Sequence, residues 1–329
     1  MTSSRTARPS TSTFGIDAPP HVLATTPTGE VAPLETATVA LYGWIDAANA
    51  RDTARLQVGT GPDYVHVDVY PAPEATARGT LVFVGGLSNH ALGYADFEWK
   101  LSQRGWNVVA VDLRGHGRSS GPRGDFTIES VIEDLATAAA YGKERFDLPV
   151  ALMGSSLGGF YALCAAGAIE GLECAISHWV YLPDSPMTKK DARMKPLALA
   201  LDRFLPKLRI PTTQIADWSG VADDPVLKQK CFDDPLMVWK YSARACASAF
   251  RHQPERPITE LRVPHLVVLG DRDTMTPTSY TRGVFDRLVG DKEWVTIPDA
   301  GHMGGLVEHQ DEMLDAVDGF LQRRMPARD

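Results

Sequence analysis

The chain has 329 residues, 44% of them hydrophobic and 22% charged, so it can bury a large core and has the composition of a globular enzyme. Its formal net charge of −8 argues against nucleic acid or an anionic membrane as a partner. No apolar run reaches the length of a membrane-spanning helix, and the N-terminus lacks the apolar segment of a signal peptide. We therefore expect a cytoplasmic protein, and the sequence leaves a homo-oligomer open.

The first part of the chain predicts an arm followed by strands. Residues 1–35 are rich in Ser, Thr, Pro and Ala, which is typical of a flexible N-terminal arm. From Thr38 the pattern T-V-A-L-Y-G-W-I indicates a strand, and the alternation Y-V-H-V-D-V-Y over 64–70 indicates another. The continuous apolar run over 81–86 predicts a central parallel strand, covered on both faces.

Helix and strand patterns then alternate, which predicts an α/β fold with a mostly parallel central sheet and helices on both faces. The predicted elements are helix 94–104, strand 107–113, helix 127–146, strand 150–153 and the helix after it, strand 172–180, strand 265–270, helix 277–289, strand 293–297 and helix 307–323. Nine prolines between 181 and 257 break this alternation. We interpret 181–257 as a helical cap inserted into a core made of 36–180 and 258–329.

The stretch V-A-L-M-G-S-S-L-G-G, beginning at Val150, indicates a strand, a sharp turn and a helix. Within it, G-S-S-L-G over 154–158 satisfies G-x-S-x-G, the nucleophile elbow of α/β-hydrolases. Glycine is required two residues before and after the serine because strand and helix approach closely there. A frame centred on Ser155 would need glycines at positions occupied by Met153 and Leu157. Ser156 is therefore the candidate nucleophile.

A serine nucleophile needs a base that removes its proton and an acid that orients the base. The strand 265–270 is followed by G-D-R-D-T-M-T-P, where the spacing from glycine to proline favours Asp273 over Asp271 as the acid. His302 lies in a glycine-rich loop after the strand 293–297, whereas His309 falls in the last helix pattern and His265 starts a strand. The order Ser156, Asp273, His302 is that of α/β-hydrolases.

Acyl transfer also needs donors for the negative charge that develops on the carbonyl oxygen. The backbone N–H of Leu157 follows the nucleophile at a helix N-terminus, where the helix dipole adds to its effect. We assign the second donor to the backbone N–H of Leu87, in the turn after the strand 81–86.

Over roughly residues 60–325 the chain resembles the α/β-hydrolase superfamily. Within it, the chain is similar to the monoglyceride lipase/lysophospholipase-like group, also called serine aminopeptidase-like. The similarity lies in G-G-L-S-N-H over 85–90, against that group's H-G-x-x-E-H, in the loop 112–124 and in D-D-P-L over 233–236. The chain departs from the group at Gly85, where a histidine that braces the oxyanion turn is usual, and at Asn89, which replaces a glutamate. The first departure bears on the role of Leu87 more than on the reaction class.

The resemblance implies a hydrolase of hydrophobic carboxylic esters or lactones that works through an acyl-enzyme and needs no cofactor and no metal. An aromatic-rich cap suits such a substrate, and we expect Gly86, Trp179, Met187 and Trp218 to line the pocket. The composition and the altered turn are also similar to bacterial lactonases that act on zearalenone-type macrolactones.

Other activities stay open at this point. A monoacylglycerol lipase or lysophospholipase would use the same triad, as would a cofactor-free haloperoxidase or a carbon–carbon hydrolase. An aminopeptidase-like amide hydrolase would need an acidic pocket for the substrate amine, for which Asp217, Asp223 and Asp224 are the candidates. A ligand receptor without catalysis can also retain these residues.

Overall fold

The structure, a computed structural model, describes residues 23–25, 31–185, 189–252 and 257–326. The strands in this part of the chain are β1 (Leu23–Thr25), β2 (Val31–Pro33), β3 (Asp52–Gln57), β4 (Tyr64–Tyr70), β5 (Gly79–Val84), β6 (Trp106–Asp112), β7 (Val150–Ser155), β8 (Leu172–His178), β9 (Arg209–Pro211), β10 (Lys240–Ser242), β11 (His265–Gly270) and β12 (Lys292–Ile297). The helices are α1 (Leu34–Tyr42), α2 (Ile45–Ala50), α3 (Ala95–Gln103), α4 (Ile128–Phe146), α5 (Leu157–Ala166), α6 (Lys189–Phe204), α7 (Thr212–Ile215), α8 (Pro225–Asp233), α9 (Ala243–Arg251), α10 (Thr278–Arg287) and α11 (Gln310–Arg324).

Eight of the described strands form one sheet in the order β12-β11-β8-β7-β5-β6-β4-β3. Neighbours from β12 to β6 are parallel, and β4 runs antiparallel to both β6 and β3. Every residue of β5, β6 and β7 is buried, as the continuous apolar runs predict for strands covered on both faces. The predicted α/β fold with a mostly parallel sheet is confirmed.

The strand register brings two pairs of loops together. Val84 at the end of β5 pairs with Gly154 in β7, so the turn after β5 and the elbow leave the sheet side by side. Gly270 at the end of β11 pairs with Ile297 at the end of β12. Because all of these are carboxyl ends of parallel strands, their loops meet at one edge of the sheet, where ligands bind in open α/β sheets.

The predicted strand from Thr38 is wrong, because residues 34–42 form helix α1. Its buried residues Leu34, Ala37, Thr38 and Tyr42 recur every three or four positions, which is the period of a helix and not of a strand. The Thr38 hydroxyl donates to the carboxylate of Asp234 at 3.0 Å, so this face of α1 contacts the segment between β8 and β11.

Two predicted boundaries also shift. Strand β8 ends at His178, two residues early, because Trp179 has a φ of 74°, which a strand cannot accommodate. The last helix begins at Gln310, after a short 3₁₀ turn over Gly304–Leu306.

Between β8 and β11 the described residues form α6 to α9 and the short antiparallel pair β9–β10. Of the predicted arm, the structure describes an antiparallel pair, β1 with β2, and the start of α1; the rest of 1–35 lies outside the described residues. The division into core, cap and arm stays a prediction.

Candidate functional site

Ser156 lies at the turn between β7 and α5, with a φ of 53° and a ψ of −124°. This sparsely populated backbone conformation projects the side chain away from both elements. A Cβ atom on Gly154 would lie 1.9 Å from the carbonyl oxygen of Gly158, and one on Gly158 would lie 2.5 Å from that of Val84. The two glycines of the G-x-S-x-G pattern are therefore dictated by backbone atoms that pass too close for any side chain.

Ser156, His302 and Asp273 form one hydrogen-bonded line. The Nε2 atom of His302 is 2.8 Å from Ser156 Oγ, and its Nδ1 atom is 2.8 Å from Asp273 Oδ2. Asp273 follows β11, and His302 follows β12, so the register of these two strands brings the two side chains together. Asp271, the rival acid, is exposed on the surface.

Asp273 is held as an anion by its neighbours. Thr276 donates its backbone N–H to Asp273 Oδ1 at 2.8 Å and its hydroxyl to Oδ2. Burial alone would raise the pKa of Asp273, but the hydrogen bonds from His302 and Thr276 hold that pKa below its usual value. An anionic Asp273 fixes the proton of His302 on Nδ1 and leaves Nε2 free to accept the proton of Ser156.

The backbone donors assigned from the sequence lie on the two loops that meet at Ser156. Leu157 is the first residue of α5, and Leu87 follows β5. The backbone N–H groups on either side of Leu87 are already hydrogen-bonded within the protein. Gly86 N–H donates to Tyr94 Oη at 3.2 Å, and Ser88 N–H donates to Tyr241 Oη at 2.8 Å. A Cβ atom on Gly86 would lie 2.8 Å from Ser156 Cβ, so this turn passes directly beside Ser156.

The remaining pocket candidates differ in position. Trp179 is buried next to the elbow helix, where a Cβ on Gly159 would lie 2.1 Å from its carbonyl oxygen, and its ring stacks on Tyr181. Trp218 is buried in an aromatic cluster with Phe232 and Trp239. Met187 lies outside the described residues.

The segment around Trp218 contacts the loops that carry Asp273 and His302. A Cβ on Gly220 would lie 2.5 Å from the hydroxyl oxygen of Thr274, and Val221 O accepts a hydrogen bond from Met303 N–H at 3.1 Å. Ser156 is only 8% exposed and His302 only 2%. These side chains are thus largely shielded from water, which strengthens the electrostatic interactions of the hydrogen-bonded line.

Sequence reasoning missed His178, which lies at the end of β8. Its backbone carbonyl accepts the N–H of Ser156 at 2.8 Å, and its ring lies 5.6 Å from that of His302. Burial, followed by the nearby His302, lowers the pKa of His178 to about 3, so this imidazole is neutral. Its position at the carboxyl end of a strand beside the elbow strand was the one signal available.

The described residues contain neither a cluster suited to a metal ion nor a helix suited to cross a membrane. Within the described ranges, no group of three or more His, Cys, Asp or Glu side chains has the arrangement of a metal site. Over the same residues, no helix combines the length and the apolar character needed to cross a membrane.

Comparison with known proteins gives a consistent family. A family model described as "Serine aminopeptidase, S33" matches residues 75–306, more than half of the chain. The monoacylglycerol lipase of Mycolicibacterium smegmatis is 27% identical over 241 residues, which cover 71% of this chain and 83% of the relative.

Solved structures agree on the fold. The Paleococcus ferrophilus monoacylglycerol lipase has a TM-score of 0.65 at 24% identity, with 79% of this chain and 99% of that chain covered. A carboxyl esterase from Bacillus coagulans has a TM-score of 0.70 at 21% identity, with 84% and 99% covered.

Proposed function

The chain belongs to the serine aminopeptidase S33 family of α/β-hydrolases, and from this premise we propose that it cleaves carboxylic esters through an acyl-enzyme, with Ser156, His302 and Asp273 as the catalytic triad. The observation that carries the proposal is the hydrogen-bonded line from Ser156 Oγ to Asp273 Oδ2, with both contacts to His302 at 2.8 Å. The order of the three residues along the chain agrees with it.

The first half of the reaction forms the acyl-enzyme. Ser156 Oγ bonds to the ester carbonyl carbon while its proton passes to His302 Nε2. Asp273 stabilises the imidazolium that results. The tetrahedral intermediate then collapses, the carbon–oxygen bond to the alcohol breaks, and the alcohol leaves with the proton from His302.

The second half consumes water. His302 takes a proton from a water molecule as its oxygen bonds to the acyl carbon, and the collapse of this second intermediate releases the acid and returns the proton to Ser156. The backbone N–H groups of Leu87 and Leu157 stabilise the oxyanion in both steps. Each such donor contributes about 3–4 kcal/mol to catalysis in comparable enzymes.

The substrate we propose is a hydrophobic ester, of the monoacylglycerol type or a lactone. Trp179 and Trp218, which we propose as walls of the pocket, would suit an apolar partner, and the name of the mycolicibacterial relative supports a lipid ester. In a lactone the leaving alcohol stays tethered to the acyl group, so the product is a hydroxy acid. A zearalenone-type macrolactone is the most specific version of this proposal.

An aminopeptidase-like activity has less support than ester hydrolysis, because two of its three candidate carboxylates already accept hydrogen bonds from nearby backbone N–H groups. Asp224 caps α8 by accepting the N–H groups of Val226 and Leu227, and Asp217 accepts the N–H of Ser219. Asp223 remains as a carboxylate beside the His302 loop, since a Cβ on Gly301 would lie 2.5 Å from its Oδ2.

The test compares substrates on one enzyme preparation. p-Nitrophenyl esters, a monoacylglycerol, a resorcylic macrolactone and aminoacyl p-nitroanilides are assayed with wild type and with Ser156→Ala. We expect turnover of one or more esters and none of the anilides, with turnover lost in Ser156→Ala. Anilide turnover that exceeds ester turnover, or full esterase activity in Ser156→Ala, would refute the proposal.

We further propose a cytoplasmic protein in which 181–257 caps a core of 36–180 and 258–329. All four cysteines are free thiols, three of them buried, which suits a reducing compartment.

A further inference from the structure

The turn beside the nucleophile lacks the usual histidine because another side chain occupies its space. A Cβ atom on Gly85 would lie 2.8 Å from the Cε2 atom of Tyr94 and 3.4 Å from Asn89 Cβ. Tyr94 is only 3% exposed, and its ring packs edge-on against Phe83 with ring centroids 5.0 Å apart. A side chain at position 85 would therefore have to displace a ring that is fixed by the core.

The hydroxyl of Tyr94 is hydrogen-bonded to the turn after β5. Its oxygen accepts the backbone N–H of Gly86 at 3.2 Å and the side-chain Nδ2–H of Asn89 at 3.1 Å. Asn89 stands where the family has glutamate, so both departures from the family motif involve the Tyr94 side chain, Gly85 through its ring and Asn89 through its hydroxyl. Gly86 precedes Leu87, the proposed oxyanion donor, and so Tyr94 binds the peptide group next to the one that carries that donor.

The hydroxyl of Tyr94 also needs an acceptor for its own proton, because it already accepts two N–H groups. The Ser155 hydroxyl interacts with the Tyr94 hydroxyl and can accept a hydrogen bond from it. Ser155 is fully buried in the elbow strand, and its Oγ lies 3.2 Å from His178 Nδ1. Since His178 is neutral, its Nδ1 can accept the proton of Ser155.

We propose that Tyr94, Ser155 and His178 form a buried hydrogen-bonded chain that positions the oxyanion turn, the elbow and the catalytic imidazole relative to one another. This hydrogen-bonded chain runs from Gly86 N–H through Tyr94 and Ser155 to His178. The backbone carbonyl of His178 accepts the N–H of Ser156, and its ring lies 5.6 Å from that of His302. It explains the serine that precedes the nucleophile and the glycine at position 85. The three are positioning residues, and their role rests on the proposed function.

The test starts from Tyr94→Phe, which removes one hydroxyl and keeps the ring. Its matched control is Tyr70→Phe, because the Tyr70 hydroxyl is equally buried but has no hydrogen-bond partner in the described part of the chain. Loss of a positioning hydrogen bond should lower kcat by about five- to tenfold and leave KM within about twofold. The affinity for a trifluoromethyl ketone, which mimics the tetrahedral intermediate, should fall by the same factor as kcat, while the carboxylic acid product should bind unchanged.

Ser155→Ala breaks the same chain at its centre and gives the second arm of the test. It should lower kcat to a similar extent, and Tyr94→Phe/Ser155→Ala should be no worse than either single variant, because one break already disconnects the chain. Full kcat in both single variants, equal losses in Tyr70→Phe, or additive losses in the double variant would overturn the proposal. Wild-type ester turnover is measured in parallel. Absence of wild-type turnover would refute the proposed function, whereas normal wild-type turnover together with unaffected variants would refute only the hydrogen-bonded chain of Tyr94, Ser155 and His178.

Discussion

Replacing Asp273 by asparagine tests the electrostatics of the site because the two side chains have nearly the same shape. The carboxylate of Asp273 accepts three hydrogen bonds, from Thr276 N–H, from the Thr276 hydroxyl and from His302. An asparagine has one oxygen that accepts and one NH₂ group that only donates. Asp273→Asn therefore leaves only one side of the group able to accept hydrogen bonds.

Both orientations of the asparagine amide are unfavourable. With its NH₂ toward Thr276 N–H, two donors face each other, and an unsatisfied buried donor costs about 1–3 kcal/mol. With its NH₂ toward His302, it donates to Nδ1 and moves the imidazole proton to Nε2, which then cannot accept the proton of Ser156. We expect kcat to fall by about 10³- to 10⁴-fold, equivalent to about 4–5.5 kcal/mol, with little change in KM.

The assay is steady-state hydrolysis of a p-nitrophenyl ester, with circular dichroism to verify folding. Asp271→Asn is the matched control, because Asp271 lies two residues away but is exposed, and it should retain wild-type kcat. A loss of less than tenfold in Asp273→Asn, or a comparable loss in Asp271→Asn, would refute the assignment of the acid.

Three further predictions concern the scaffold. Gly154→Ala places a Cβ 1.9 Å from Gly158 O, so the free energy of unfolding measured in urea should fall by about 3 kcal/mol. An unchanged midpoint of urea unfolding would contradict the close approach at the elbow. Burial lowers the pKa values of His116 and His265 to about 4. The unfolded chain therefore binds protons below about pH 6.5 that the folded protein does not, and stability should fall between pH 6 and 4 by up to about 1.4 kcal/mol per pH unit for each histidine. A His116→Gln/His265→Gln variant should show a flatter pH profile in urea unfolding, and an identical profile would exclude this cause. Burial also raises the pKa of Glu98, whose carboxylate oxygens lack hydrogen-bond partners among the described residues. Glu98→Gln should therefore gain stability relative to wild type as the pH rises from 5 to 8. A pH-independent difference in unfolding free energy between the variant and wild type would contradict this prediction.

Much of the sheet could be predicted from the sequence because its strands are buried on both faces. The apolar runs ending at Val84 and at Gly270 have few polar interruptions, and such runs identify central strands directly. The stretch from Thr38 failed because a short apolar run does not distinguish helix from strand, and its helical face became evident only from contacts such as Thr38 with Asp234.

The candidate triad was accessible from the sequence because each member follows its own strand at a characteristic spacing. Tyr94 and His178 were not accessible, because their importance depends on which atoms they meet in space. Tyr94 is nine residues from Gly85 along the chain, and His178 is 22 residues from Ser156. No local pattern marks either contact, since Tyr94 lies in the 3₁₀ turn before α3 and His178 lies at the end of β8.

The most direct test of the central claim is covalent labelling of the nucleophile. Wild-type protein is incubated with a fluorophosphonate, and the modified peptide is identified by tandem mass spectrometry. We predict one adduct, on Ser156, that disappears in Ser156→Ala and forms much more slowly in a variant that lacks the imidazole of His302. An adduct on Ser155, or labelling that persists in Ser156→Ala, would contradict the account.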